Sequence, residues 1–132
     1  MSRPGSTGRQ VLVALYAVFA VAAGARSLVQ ISTRFGEAPL AYSLSLVAAV
    51  VYLVATLALR RTSATARRVA WAALAFEAVG VVVVGTVSLV SPELFPDQTV
   101  WSDFGAGYGF VPLVLPFAGL WWLRRHGADD LR

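Results

Sequence analysis

The sequence predicts an all-α transmembrane four-helix bundle with both chain ends on the cytoplasmic side. Of its 132 residues, 58% are hydrophobic and 14% are charged, whereas soluble domains average about 45–50% apolar and about 25% charged residues. The apolar residues form four long runs, which one water-soluble core of this size could not bury, so we expect the lipid bilayer to solvate them. The arginines cluster beside these runs, as topology signals do.

The composition excludes several classes of function. The chain has no cysteine, which rules out disulfides, iron–sulfur clusters and thiolate metal sites. It also lacks a nucleophile–base arrangement, a phosphate-binding loop and a nucleotide motif. We therefore expect no catalytic residues, no cofactor, no metal and no enzymatic activity. The net charge of +4 reflects topology signals, so we expect no nucleic-acid partner. The dominance of Ala, Val, Leu and Arg indicates a high-GC bacterium.

The first predicted span covers residues 11–33 and follows a disordered cytoplasmic tail at residues 1–10, which is basic and rich in Gly, Ser and Pro. The outer half of the span carries a polar stripe on one helical face. Because polar groups in a bilayer face protein and not lipid, we expect the stripe to be covered. It consists of Arg26, Gln30, Thr33 and Arg34.

An alternative interpretation applies to the same segment. Arg3 and Arg9, the apolar run and then Ala23-Gly24-Ala25 also fit a cleavable signal peptide. However, the apolar run continues past this site through Leu28 and Ile31. Four spans are therefore favoured over three.

The second and third spans are predicted at residues 39–59 and 69–90. Pro39 suits the first turn of a helix, and small residues at helical spacing give the second span a seam for close helix packing. The loop between the two spans, residues 60–68, carries four arginines and is therefore assigned to the cytoplasm. The third span presents Ala70, Ala73, Glu77 and Gly80 on one face.

The longest loop, residues 91–104, contains acidic residues and no basic ones, so it is assigned to the extracytoplasmic side. We expect it to form an ordered cap on the bilayer surface with Trp101 as an interfacial anchor, the alternative being a lid over a ligand. The fourth span, residues 106–123, is predicted to be kinked at Gly109, Pro112 and Pro116, because proline removes helical hydrogen bonds. Residues 126–132 form a cytoplasmic tail.

One carboxylate lies within an apolar run and identifies the main candidate site. Glu77 lies about 13 Å from the cytoplasmic arginines along its helix, and Tyr52 lies at about the same depth on the second span. We therefore predict that these spans pack through their small-residue faces and that Tyr52 approaches Glu77, with Thr56 as a second partner. Glu77 then serves either as a hydrogen-bonded structural residue or as a site for proton coupling or ligand contact.

Arg26 lies too far from Glu77 for an ion pair, since its distance from the cytoplasmic side is about 10 Å greater than that of Glu77. Its candidate partners are Ser43, Ser45, Gln30 and the Tyr108 carbonyl that Pro112 leaves without a donor. We predict that Arg26 holds the broken start of the fourth span. The alternative is that its side chain extends to the outer interface.

The segments FPDQTVWSDFGAGYGFVPLVLPFAGLWWLRR and EAPLAYSLSLVAAVVYLVAT resemble small four-span integral membrane proteins of high-GC Gram-positive bacteria, a group without an assigned activity. The resemblance implies the bacterial cytoplasmic membrane and a four-span architecture. In size alone the chain is also similar to DoxX-like and GtrA-like membrane proteins.

Two functions remain compatible with the sequence. One is a non-enzymatic accessory or structural subunit that packs in the lipid bilayer against a membrane protein partner or against itself. The other is a small homo-oligomeric transporter or channel in which the Glu77 carboxyl takes up and releases a proton. Chain length favours the first, because four short spans rarely enclose a pathway alone.

Overall fold

The computed structural model describes residues 6–95, 99 and 101–130, and all regular structure in these residues is helical. Four α-helices form a bundle. Short 3₁₀ segments lie between the first and second helices, at Phe35–Glu37, and between the third and fourth, at Pro92–Leu94 and Ser102–Tyr108. The helices are α1 (Ser6–Arg34), α2 (Pro39–Leu59), α3 (Ala64–Val90) and α4 (Val111–Asp130).

Helices α1, α2 and α3 are long and apolar enough to cross a membrane. Their ends follow from local chemistry. Pro39 occupies the first turn of α2, where its missing N–H costs no hydrogen bond. Ser63 caps α3 by accepting a hydrogen bond of 3.1 Å from the Ala66 N–H, the usual role of serine at a helix start.

The tails predicted beside the first and last spans are partly helical. Helix α1 begins at Ser6, so the prediction of disorder is wrong for residues 6–10, while residues 1–5 lie outside the described part. Helix α4 continues to Asp130, so most of the predicted tail at residues 126–132 extends this helix; residues 131–132 are not described. Both extensions prolong a helix that the apolar run has already nucleated.

The fourth apolar segment differs from the prediction at its start. Residues 106–110 are not α-helical, because α4 begins only at Val111. Pro112 therefore lies in the first turn of α4. Of the three predicted kink residues, only Pro116 lies in the interior of the helix. The apolar part of α4 ends at Leu123 and measures about 20 Å, which is shorter than the bilayer core of about 30 Å.

The helices pack in chain order, α1 on α2, α2 on α3 and α3 on α4, and the Ser102–Tyr108 segment also packs on α3. We call the end with residues 60–68 the arginine-rich end and the opposite end, with residues 91–110, the loop end. At the arginine-rich end the Arg9 guanidinium lies 5.1 Å from the Trp122 ring centre, which joins α1 to α4. The core between the ends contains large, fully buried side chains from α1, α2, α3 and the loop: Tyr16, Tyr52, Leu74, Glu77 and Trp101.

Candidate functional site

Glu77 lies in the centre of the bundle and is completely buried, with 0% of its surface exposed. Its neighbours along the inner face of α3, Ala70 and Ala73, are also buried. None of the described residues gives either carboxyl oxygen a hydrogen bond of standard geometry. Burying a polar group without full hydrogen bonding is costly, so this carboxyl marks the most unusual position in the core.

Two tyrosines surround the carboxyl. The Tyr16 hydroxyl of α1 faces Glu77 and interacts with it, although at a geometry short of a standard hydrogen bond. Tyr52 of α2 is also close enough to Glu77 for an electrostatic interaction, and its ring lies 6.0 Å from the Tyr16 ring, centre to centre. The site therefore brings together side chains from three helices.

Trp101 closes this cluster from the loop end. Its side chain is only 2% exposed, and its indole Nε1–H donates a hydrogen bond of 3.1 Å to the Tyr52 hydroxyl. The prediction that Trp101 is an interfacial anchor is therefore wrong. The loop is not a cap resting on the surface, since part of it inserts between the helices.

Glycines on α3 make room for the inserted loop. The Trp101 ring lies against Gly80, where an added Cβ would be 2.8 Å from ring carbons. Gly80 is about 15 Å below the end of α3 at Val90, so Trp101 reaches well into the bundle. One and a half turns closer to the loop end, the Phe104 ring covers Gly85 in the same way. The small-residue face of α3 thus receives aromatic rings as well as a neighbouring helix.

The inserted loop has a strained backbone. Asp103, Phe104 and Gly105 are consecutive residues with left-handed backbone angles, at φ values of 53°, 59° and 83°. This conformation is unfavourable for a bulky residue such as phenylalanine. Ser88 of α3 holds the turn in place, because its hydroxyl accepts a hydrogen bond of 2.8 Å from the Asp103 N–H. Strain held by surrounding contacts is common at functional sites.

Thr56 forms its hydrogen bond within α2 and not with the Glu77 carboxyl. It is buried, but its hydroxyl donates to the Tyr52 carbonyl of its own helix at 2.7 Å. Such a bond within the helix satisfies a threonine hydroxyl without another partner. The expected contact between Thr56 and Glu77 is therefore replaced by a local one.

The polar stripe of α1 lies nearer the loop end. Arg26 donates a hydrogen bond of 3.0 Å to the Tyr108 hydroxyl. Arg26 therefore contacts the expected residue, Tyr108, but through the hydroxyl group and not through the backbone carbonyl. The reason is that Tyr108 precedes α4, so the expected broken helical hydrogen bond does not arise. Gln30 is buried, with its Oε1 lacking a hydrogen bond to the described residues. Arg26, Gln30 and Arg34 line one open groove.

Tyr16 was not among the predicted site residues, and Trp101 was predicted at the wrong position. Tyr16 could have been found by the depth comparison that related Tyr52 to Glu77, because it lies about 10 Å from Arg9 along α1 and so at a similar level. Trp101 carries no such signal, since a loop residue has no helical register from which to calculate depth.

No protein family, curated protein or solved structure matches this chain.

Proposed function

We propose that the chain is a multi-pass protein of the bacterial cytoplasmic membrane with four crossings and with both ends in the cytoplasm. The clustering of arginines at one end of the bundle supports this orientation. In the fourth crossing, α4 and the Ser102–Tyr108 segment together cross the membrane, because the apolar part of α4 alone is too short to span the bilayer core. Non-helical backbone is compatible with membrane depth where protein buries it, as α3 does here.

Within this membrane the chain acts as a non-enzymatic accessory subunit that packs against another membrane protein or a second copy of itself. The groove lined by Arg26, Gln30 and Arg34 carries this proposal. Arg26 and Arg34 are both exposed in this groove. Polar groups at this position are unfavourable against lipid tails, so a protein surface with complementary polar groups fits the groove.

Mild-detergent affinity purification followed by quantitative mass spectrometry tests this role. We expect one membrane protein, or a second copy of the chain, at fixed stoichiometry. The double variant Arg26→Ala/Gln30→Ala should lose most of the co-purifying protein. Arg124→Ala, which removes an exposed arginine at the other end of the bundle, should retain it. Recovery of the wild-type chain alone, as a monomer, would contradict the proposal.

A second candidate, a homo-oligomeric transporter, is favoured by Glu77 itself. Among the described residues, none forms a standard hydrogen bond with its oxygens, and Tyr52 beside it is bonded to a loop whose backbone is strained. If the loop moves, Glu77 gains access to the outer side and exchanges a proton. Reconstituted liposomes should then show pH-dependent flux that Glu77→Gln abolishes. Glu77→Ala should also reduce expression or stability; if it changes neither these nor the flux, Glu77 has no role in the protein.

A further inference from the structure

The arginine-rich end has a surface of its own between the last turns of α2 and the first turns of α3. An open groove runs there along apolar side chains of the two helices and ends at polar ones. Val54, Leu57 and Val69 form its walls, and all three are exposed. Arg61, Ser63 and Thr65 form its polar end.

Arg61 also belongs to a second, smaller pocket deeper in the same end of the bundle. That pocket is lined by Arg9 and Arg67 together with Trp122. Among the side chains that the structure describes, the carboxylates are Glu37, Glu77, Glu93 and Asp103, which belong to the loop end or the bundle centre. The described side chains around the polar end of the groove therefore create a positive potential.

The arrangement has the amphiphilic order of a phospholipid. Apolar walls accept an acyl chain, and an arginine with neighbouring hydroxyl groups stands where the phosphate would lie, beside the positive N-terminal end of α3. Basic pockets between membrane helices on the cytoplasmic side commonly bind anionic headgroups. A zwitterionic headgroup fits less well, since its cationic part would meet Arg61 and the nearby arginines.

We propose that the groove between α2 and α3 binds one anionic phospholipid, with its phosphate on Arg61 and one acyl chain along Leu57 and Val69. This proposal rests on the membrane insertion of α2 and α3 described above. It is independent of the accessory or transport role, because the lipid site includes neither Glu77 nor the groove lined by Arg26, Gln30 and Arg34.

Native mass spectrometry of the full-length chain in a neutral detergent provides the test. The protein is titrated with phosphatidylglycerol or with phosphatidylcholine of the same acyl chains. We expect one phosphatidylglycerol to remain bound, with affinity at least about fivefold higher than that of phosphatidylcholine. Loss of one arginine near a lipid surface corresponds to about 1 kcal/mol, or about a fivefold loss of affinity, so Arg61→Ala should show that reduction.

Arg60→Ala is the matched control, because Arg60 is the adjacent exposed arginine and lines neither pocket. A second pair tests the groove: Leu57→Trp fills it, while Leu53→Trp adds the same ring to an exposed position outside it. Leu57→Trp should abolish retention and Leu53→Trp should preserve it. Equal effects within either pair would overturn the proposal.

Competition with free phosphate and extraction of membranes complete the test. If inorganic phosphate at millimolar concentration displaces the lipid, the site recognises free phosphate and the proposal of a lipid is wrong. Carbonate extraction of membranes from expressing cells tests insertion separately. Release of the chain by carbonate would contradict the proposed membrane location, whereas retention without lipid selectivity would contradict only the lipid site.

Discussion

The Trp101 indole and the Tyr52 hydroxyl form a hydrogen bond of 3.1 Å inside the bundle, although they lie 49 residues apart in the chain. Both side chains are buried, Trp101 at 2% and Tyr52 at 0% exposure. This bond ties the inserted loop to a tyrosine that interacts with the Glu77 carboxyl. It therefore couples the position of the loop to the interior of the site.

Replacing Tyr52 with Phe should destabilise the protein by about 1–3 kcal/mol, because the buried Trp101 N–H loses its acceptor. Trp101→Phe removes the donor and part of the packing. If the bond is the main connection, the double variant should be less destabilised than the sum of the two single variants, by about 1 kcal/mol. Equilibrium unfolding in detergent micelles measures all three; additive effects would show that the two groups do not interact.

Gly80→Ala should displace Trp101, since the new methyl group would lie 2.8 Å from the ring. Overpacking of this kind costs about 1–3 kcal/mol. Gly24→Ala is the matched control, because the nearest atom there is the Ala49 Cβ at an ordinary 3.8 Å. We expect its stability to be unchanged or slightly raised. Thermal unfolding compares the two variants, and equal melting temperatures would argue against close contact between Trp101 and α3.

The two buried prolines of α4 should respond differently to substitution. Pro116 lies inside the helix, so Pro116→Ala restores an N–H for the Pro112 carbonyl and recovers much of a helix penalty of about 3 kcal/mol. Pro112 lies in the first turn and its ring packs on Gly105, so Pro112→Ala removes packing without restoring a needed bond. Pro112→Ala should therefore be the more destabilising variant in thermal unfolding. The opposite order would mean that the proline inside the helix is required for packing.

The proposed orientation can be tested with single cysteines, because the chain has none of its own. Thr62→Cys and Glu93→Cys each introduce one exposed thiol, at the arginine-rich end and the loop end respectively. A membrane-impermeant maleimide should label Glu93→Cys in intact cells and Thr62→Cys only after lysis. Labelling of Thr62→Cys in intact cells would reverse the orientation and place the lipid site in the outer leaflet.

Much of the helical architecture was predictable because it depends on short-range patterns. The apolar run and Pro39 gave the bounds of α2, which the structure shares. The depth comparison placed Tyr52 at the level of Glu77, because the rise of a helix is constant. By contrast, the start of the fourth helix was predicted five residues too early, since Gly-rich apolar sequence is compatible with both a helix and a turn.

The positions of the long apolar helices follow from local composition alone, as does the end of the bundle that carries the arginines. The entry of the loop into the bundle instead depends on contacts that form only in the folded molecule. The left-handed turn at Asp103–Gly105 is unfavourable in isolation and is held by Ser88 and the Gly85 surface of α3. The Trp101 position depends on a Tyr52 hydroxyl from another helix. Such contacts between distant residues leave no periodic pattern in the chain, so no local rule could have predicted them.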